Sequence, residues 1–214
     1  MKRVILPIIA SIYLLSPLQS EQIALFSPDD KITSHLISYI NNAKKRIYAA
    51  VYFITDKQIA NALIEAKNER GLDVQIVTDQ TSICEEFGKA QYLRQHNIDV
   101  FIYKPQTKNN RRPPLMHNKF VIIDNKIWTG SFNWTVSANK RNQENVVLSD
   151  NPTILDRYTK QFVTLKKRCV YQPMLTHPKI AARKRSWYRG VSRGVENFVR
   201  TIRTKLSKKK QTNV

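Results

Sequence analysis

The stretch that decides the reading is His117–Asn145, HNKFVIIDNKIWTGSFNWTVSANKRNQEN. It sets His117 and Lys119 two apart and closes the apolar run Phe120–Ile123 with Asp124. It then passes Ile127-Trp128 to reach Gly130-Ser131-Phe132-Asn133, with Glu144 beyond. Phe120–Ile123 has the length and composition of a buried strand, and Asn125-Lys126 supplies a tight turn into a second strand at Ile127-Trp128. Residues two apart in a strand project to one side, so His117 and Lys119 are expected to point into a single cleft. Ser131 and Asn133 repeat that spacing. An imidazole, an ammonium, a hydroxyl and an amide would then converge.

Such a set suits a phosphodiester. Lys119 would neutralise the non-bridging oxygens while Ser131 and Asn133 donate hydrogen bonds to them, contacts that strengthen as charge shifts during reaction. Gly130 lets the backbone approach without a side chain in the way. His117 attacks phosphorus through an unprotonated nitrogen, and Glu144 is the best candidate acceptor for its other nitrogen, fixing the tautomer. Asp124 reads as ordering the turn around Asn125 and Lys126 rather than touching substrate. The full series from His117 to Glu144 occurs once in the chain.

Outward from this stretch, strand and helix alternate. Ile23–Phe26 reads as a first strand, and Ser27-Pro28-Asp29-Asp30 carries capping chemistry for a helix with the stripe Ile32, Leu36, Ile37, Ile40. Ile47–Ile54 is a nearly continuous apolar run, as expected of a central strand buried on both faces. A second helix carries Ile59, Leu63 and Ile64 and stops at Gly71. A strand follows at Val74–Val77, then a third helix over Ser82–Gln95 and a strand at Ile98–Tyr103. Beyond the motif come a late strand at Val146–Leu148 and a helix capped by Asn151 with Pro152 first. That helix is expected to bury Ile154, Leu155, Tyr158, Phe162 and Leu165. The pattern predicts an α/β sandwich with a mixed central sheet flanked by helices.

Charge bounds the partners. The 214 residues hold 36 Lys plus Arg against 16 Asp plus Glu, a net charge of +20, and the pI is near 10.1. A chain this basic favours polyanions, either nucleic acid or an anionic membrane surface. Residues 175–214 form a basic extension, in which twelve bases face the single acid Glu196. Within it Val191, Val195, Phe198, Ile202 and Leu206 fall near helical spacing, with Trp187 and Tyr188 ahead of them. That pattern fits a helix packed on the domain, a nucleic-acid clamp, or an amphipathic helix at a membrane. At the other end Lys2 and Arg3 precede an apolar run at Val4–Leu15, too short for a comfortable membrane span. Residues 1–20 are therefore expected to be an export signal cleaved after Ser20, with an uncleaved anchor as the alternative. The domain between them is expected to run over 21–174, in a periplasmic or secreted protein. Two cysteines, Cys84 and Cys169, and four scattered histidines offer no HExxH or CxxC pattern, so no metal or other cofactor is expected.

An H-x-K pair or a GSxN turn alone arises by chance in many proteins, and a lone strand histidine is usually structural. The ordered series His117, Lys119, Asp124, Gly130, Ser131, Asn133, Glu144 is far more specific. It resembles the phospholipase D, or HKD, superfamily, and a single copy in a short chain is most similar to the bacterial endonuclease branch. It is also similar to the mitochondrial cardiolipin hydrolase and piRNA-biogenesis nuclease branch. The resemblance covers roughly Gln22–Arg168 and leaves out the basic extension. It implies a site built from two motifs, and so a homodimer in which two copies of His117 face each other. One would form a covalent phosphohistidine, and the other would protonate the leaving oxygen and then activate water, without a metal.

The motif specifies a phosphodiester and says little about what flanks it. Lys104, Lys108, Arg111 and Arg112 lie in the loop leading to His117, where they would track a phosphate backbone. The expectation is a metal-independent, nonspecific endonuclease. The alternatives are a phospholipase D acting on phospholipid headgroups, which keeps the same residues and assigns the extension to the membrane, and an inert nucleic-acid- or membrane-binding protein.

Overall fold

The computed structural model describes residues 22–84, 87–104 and 114–170. The expected signal at 1–20, the loop bases Lys108, Arg111 and Arg112, and the extension 175–214 lie outside the described residues. In chain order the elements are β1 (Gln22–Ser27), α1 (Ile32–Asn42), β2 (Arg46–Val51), α2 (Lys57–Asn68), β3 (Asp73–Asp79), α3 (Gln80–Cys84), α4 (Ala90–Gln95) and β4 (Asp99–Tyr103). They continue with β5 (Lys119–Ile123), β6 (Lys126–Gly130), α5 (Val136–Lys140), β7 (Glu144–Ser149), α6 (Pro152–Lys167) and β8 (Cys169–Val170).

The eight strands form one sheet in the order β1-β7-β6-β5-β2-β3-β4-β8. β2, β3 and β4 run parallel, and the remaining pairings are antiparallel. The sheet is therefore mixed, as the alternation predicts. β2 sits at the junction, with Ala49 paired to Ile76 on β3 and to Val121 on β5. Its apolar continuity follows from burial on both faces. Ile47, Ala49 and Val51 pack with Leu36 and Ile40 of α1 and Leu63 of α2. Tyr48 and Ala50 face the other way, with Phe162 and Leu165 of α6. Tyr48 stacks on Phe162 at 5.1 Å between centroids, with 8° between planes.

The start of α1 departs from expectation. Asp30 does not cap it. The Asp30 carboxylate accepts from the Phe26 amide at 2.7 Å, and the Asp30 amide donates to the Phe26 carbonyl at 2.9 Å, so this side chain closes a turn. Lys31 enters the helix at φ 48 with no side-chain cap. The Thr33 amide is met from α5 instead, by Asn139 Oδ1 at 3.0 Å.

The expected third helix is two short ones. The Lys89 amide donates to the Ile54 carbonyl at 2.8 Å, which ties the connection to the end of the β2 segment and interrupts the helix. The capping of α6 follows the sequence, with Asn151 Oδ1 accepting from Thr153 and Ile154 amides. Ile154, however, is 39% exposed on the outer side of the helix, while Leu155 beside it packs against the core. Two elements escape periodicity because they are so short, α5 and β8. β8 pairs Cys169 with Tyr103 on β4. Cys169 is a free thiol that donates to the Leu165 carbonyl at 3.2 Å, and burial pushes its pKa up to about 12.

Candidate active site

The registers bring one set of strand ends to a single edge of the sheet. Val51 of β2 pairs with Lys119 of β5, Asp79 of β3 with Tyr103 of β4, Gly130 of β6 with Val146 of β7, and Ser27 of β1 with Glu144 of β7. The carboxyl ends of the parallel strands, where open α/β sheets hold ligands, therefore meet the amino ends of β5 and β7. His117, Lys119, Ser131, Glu144 and Lys104 all stand on or just beyond this edge.

His117 lies two residues ahead of β5. Its direction is set by continued pairing, since the Tyr52 amide donates to the Asn118 carbonyl at 2.9 Å. Lys119 Nζ reaches His117 Nδ1 at 3.1 Å and the His117 carbonyl at 2.7 Å. An ammonium has no lone pair, so Nδ1 is the acceptor in this contact. The Tyr52 ring stands against both, 4.6 Å from the imidazole centroid and 5.2 Å from the ammonium. Partial burial lowers the His117 pKa, the Lys119 charge lowers it further, and the Asp79 carboxylate opposes them. Burial likewise lowers the Lys119 pKa against the field of Glu144.

Ser131 and Asn133 are brought to the edge by a different route from the one their spacing suggests. β6 ends at Gly130, so neither is a strand residue. Ser131 is held by β7 instead: its amide donates to the Asn145 carbonyl at 3.0 Å, and its Oγ accepts from the Asn145 amide at 3.0 Å. Ser131 Oγ also donates to Glu144 Oε2 at 2.5 Å. Glu144 Oε1 accepts from Asn142 Nδ2 at 3.0 Å. Within one chain Glu144 thus anchors Ser131, where the sequence assigned it to the imidazole. Asn133 is flanked in sequence by the buried Phe132 and Trp134, and its Oδ1 is buried without a hydrogen-bond partner among the described residues. Gly130 is required by its neighbour strand, since a Cβ there would come 2.0 Å from the Asn145 carbonyl oxygen.

Asp124 stands apart from the edge. At φ 52 it turns its carboxylate onto the Lys44, Lys45 and Arg46 amides at 2.7, 2.8 and 3.0 Å. Burial works to raise its pKa, but these three amides prevail and lower it. Three residues went unnoticed in the sequence. Tyr52 falls inside the expected buried strand Ile47–Ile54, and Asn142 and Asp79 lie outside the expected elements. Among the described residues no group of three His, Cys, Asp or Glu side chains is placed to hold a metal. No described helix is long and apolar enough to cross a membrane.

The family model "Cardiolipin synthase, PLD-like domain" matches residues 36–166. The chain belongs to the phospholipase D superfamily. A phospholipase D of Rickettsia prowazekii is 36% identical over 156 residues, 72% of each chain. The solved phospholipase D family member Nuc from Salmonella typhimurium superposes with a TM-score of 0.63 at 28% identity, over 72% of this chain and 99% of that one. NucT from Helicobacter pylori shares the fold, with a TM-score of 0.66 at 24% identity over 72% and 100%. As a member of the phospholipase D superfamily the protein is a phosphodiesterase.

Proposed function

We propose that the protein is a metal-independent, nonspecific endonuclease whose active site is completed by a second copy of the chain. The observation that carries the nucleic-acid reading is charge: +20 over 214 residues, with Lys104, Lys108, Arg111 and Arg112 just ahead of His117. A polyanion with a phosphate at every step gains from each of these contacts. The likeness to Nuc supports the same reading.

A bound phosphate competes with His117 for the Lys119 ammonium. Once the ammonium turns to a non-bridging oxygen, the imidazole is free to attack. A P–N bond forms, the P–O bond breaks, and the leaving oxygen takes a proton from His117 of the second subunit. That imidazole, now neutral, removes a proton from water. The resulting hydroxide attacks phosphorus and the P–N bond breaks. Asn133 donates to the equatorial oxygens, while the single hydroxyl proton of Ser131 is committed to Glu144. Glu144 holds Ser131 in place. Each chain supplies one such imidazole, which is why two chains are needed. We place the chain outside the cytoplasm, with residues 1–20 as its export signal. Amino-terminal sequencing of the exported protein checks this, and a start at Met1 would contradict cleavage.

A second reading has its own support. The Rickettsia prowazekii relative, at higher identity than Nuc, is a phospholipase D, and the same residues would act on a phospholipid. A turnover assay in EDTA separates the two. It offers plasmid DNA, single-stranded DNA, RNA and vesicles of phosphatidylcholine with cardiolipin, with His117→Asn as control. Nucleic-acid cleavage that vanishes in the variant is the expected result. Headgroup release with nucleic acid left intact moves the assignment to phospholipase.

A further inference from the structure

Asp79 ends β3 on the catalytic edge, and the steps above give it no part. Its side chain is 1% exposed. A carboxylate is tolerated in the interior when its oxygens are met by donors. Oδ1 accepts from the Thr81 amide and the Thr81 hydroxyl, both at 3.0 Å. Oδ2 accepts from the Met116 amide at 2.9 Å. Met116 immediately precedes His117 and is itself 1% exposed, packed with Phe120 and Ile122. The carboxylate therefore pins the chain where it enters the motif.

We propose that Asp79 is a positioning residue for His117, fixing the backbone that carries the imidazole. This rests on His117 acting as nucleophile in one subunit and as acid in the other. The groups around the imidazole are Lys119 of β5 and the Tyr52 ring beyond β2, and Lys119 feels Glu144 of β7. Asp79 itself pairs in register with Tyr103 of β4. Burial and Lys119 both favour neutral imidazole, which helps attack and weakens proton delivery. One residue serves both roles in a symmetric dimer, so a counterweight is needed in each copy. Asp79 supplies it from the interior, where screening is weak.

Asp79→Asn keeps the shape and an oxygen for the Met116 amide while removing the charge. NMR titration of the dimer follows the His117 imidazole, and a downward shift of its midpoint is expected. The alkaline limb of kcat should move to lower pH with KM within about twofold, a pattern set by proton delivery rather than binding. Asp79→Glu keeps the charge and is expected to hold the midpoint near wild type, and it serves as the test if the Asn variant does not fold. A folded Asn variant with an unchanged His117 midpoint overturns the proposal, as does a Glu variant whose midpoint falls clearly below wild type. Turnover surviving in His117→Asn would defeat the nucleophile assignment, a failure the Asp79 titration does not share.

Discussion

Lys119 is the residue whose chemistry is most exposed to test. It contacts the imidazole directly, and on the proposed mechanism a phosphate takes its charge. Lys119→Met is expected to lower kcat by about a hundredfold or more, the scale of removing one transition-state donor, and steady-state kinetics check it. The depressed His117 pKa carries a sign. The neutral nucleophile persists below the ordinary imidazole midpoint of about 6.5, so the acid limb of kcat/KM should lie below that value. Asp124 belongs to stability. Its pKa is lowered in the fold, so its contribution is present above the unfolded carboxylate value of about 3.9 and is lost as pH falls through the folded one. Asp124→Ala should cost about 2 kcal/mol in denaturant melts at neutral pH, with the difference fading in acid. That Asp124 is structural was legible, because a charged residue closing an apolar run suits a turn, but its partners were not: the carboxylate holds the Lys44, Lys45 and Arg46 amides rather than the Asn125-Lys126 turn. The partner of Glu144 was not, because Ser131 and Glu144 meet through the pairing of β6 with β7, which local spacing does not encode.

At the scale of elements, the β6–β7 contact is the tightest constraint on the edge. Gly130→Ala must displace the Asn145 carbonyl. Overpacking of this kind costs about 1–3 kcal/mol, and the displaced β7 would carry Glu144 with it. Thermal melts and turnover should therefore fall together. The central strand and the stripe of α1 could be read from periodicity, because burial on one or two faces leaves a direct mark on composition. The start of α1 could not. Asp30 has the right chemistry for a cap, but a turn to Phe26 and a distant Asn139 decide its use. The break between α3 and α4 has the same origin in a long-range bond, from Lys89 to Ile54.

For the whole molecule, charge and symmetry are the testable properties. If Lys104, Lys108, Arg111 and Arg112 each neutralise one phosphate, raising salt from 50 to 200 mM should weaken DNA binding by about a hundredfold. Fluorescence anisotropy of labelled DNA measures this, and a flat salt response would remove the nucleic-acid role of the loop. The mixed sheet followed from the order of strands and helices in the sequence, whereas its strand order did not, because β1 and β8 reach their places through long-range pairing. The central claim is that His117 attacks phosphorus. The most direct test is a single-turnover reaction with an oligonucleotide labelled at its phosphates, quenched in alkali and mapped by mass spectrometry. The account predicts label on His117 in the wild-type protein, none in His117→Asn, and no cleavage by that variant. Label on another residue, or cleavage persisting in His117→Asn, would contradict it.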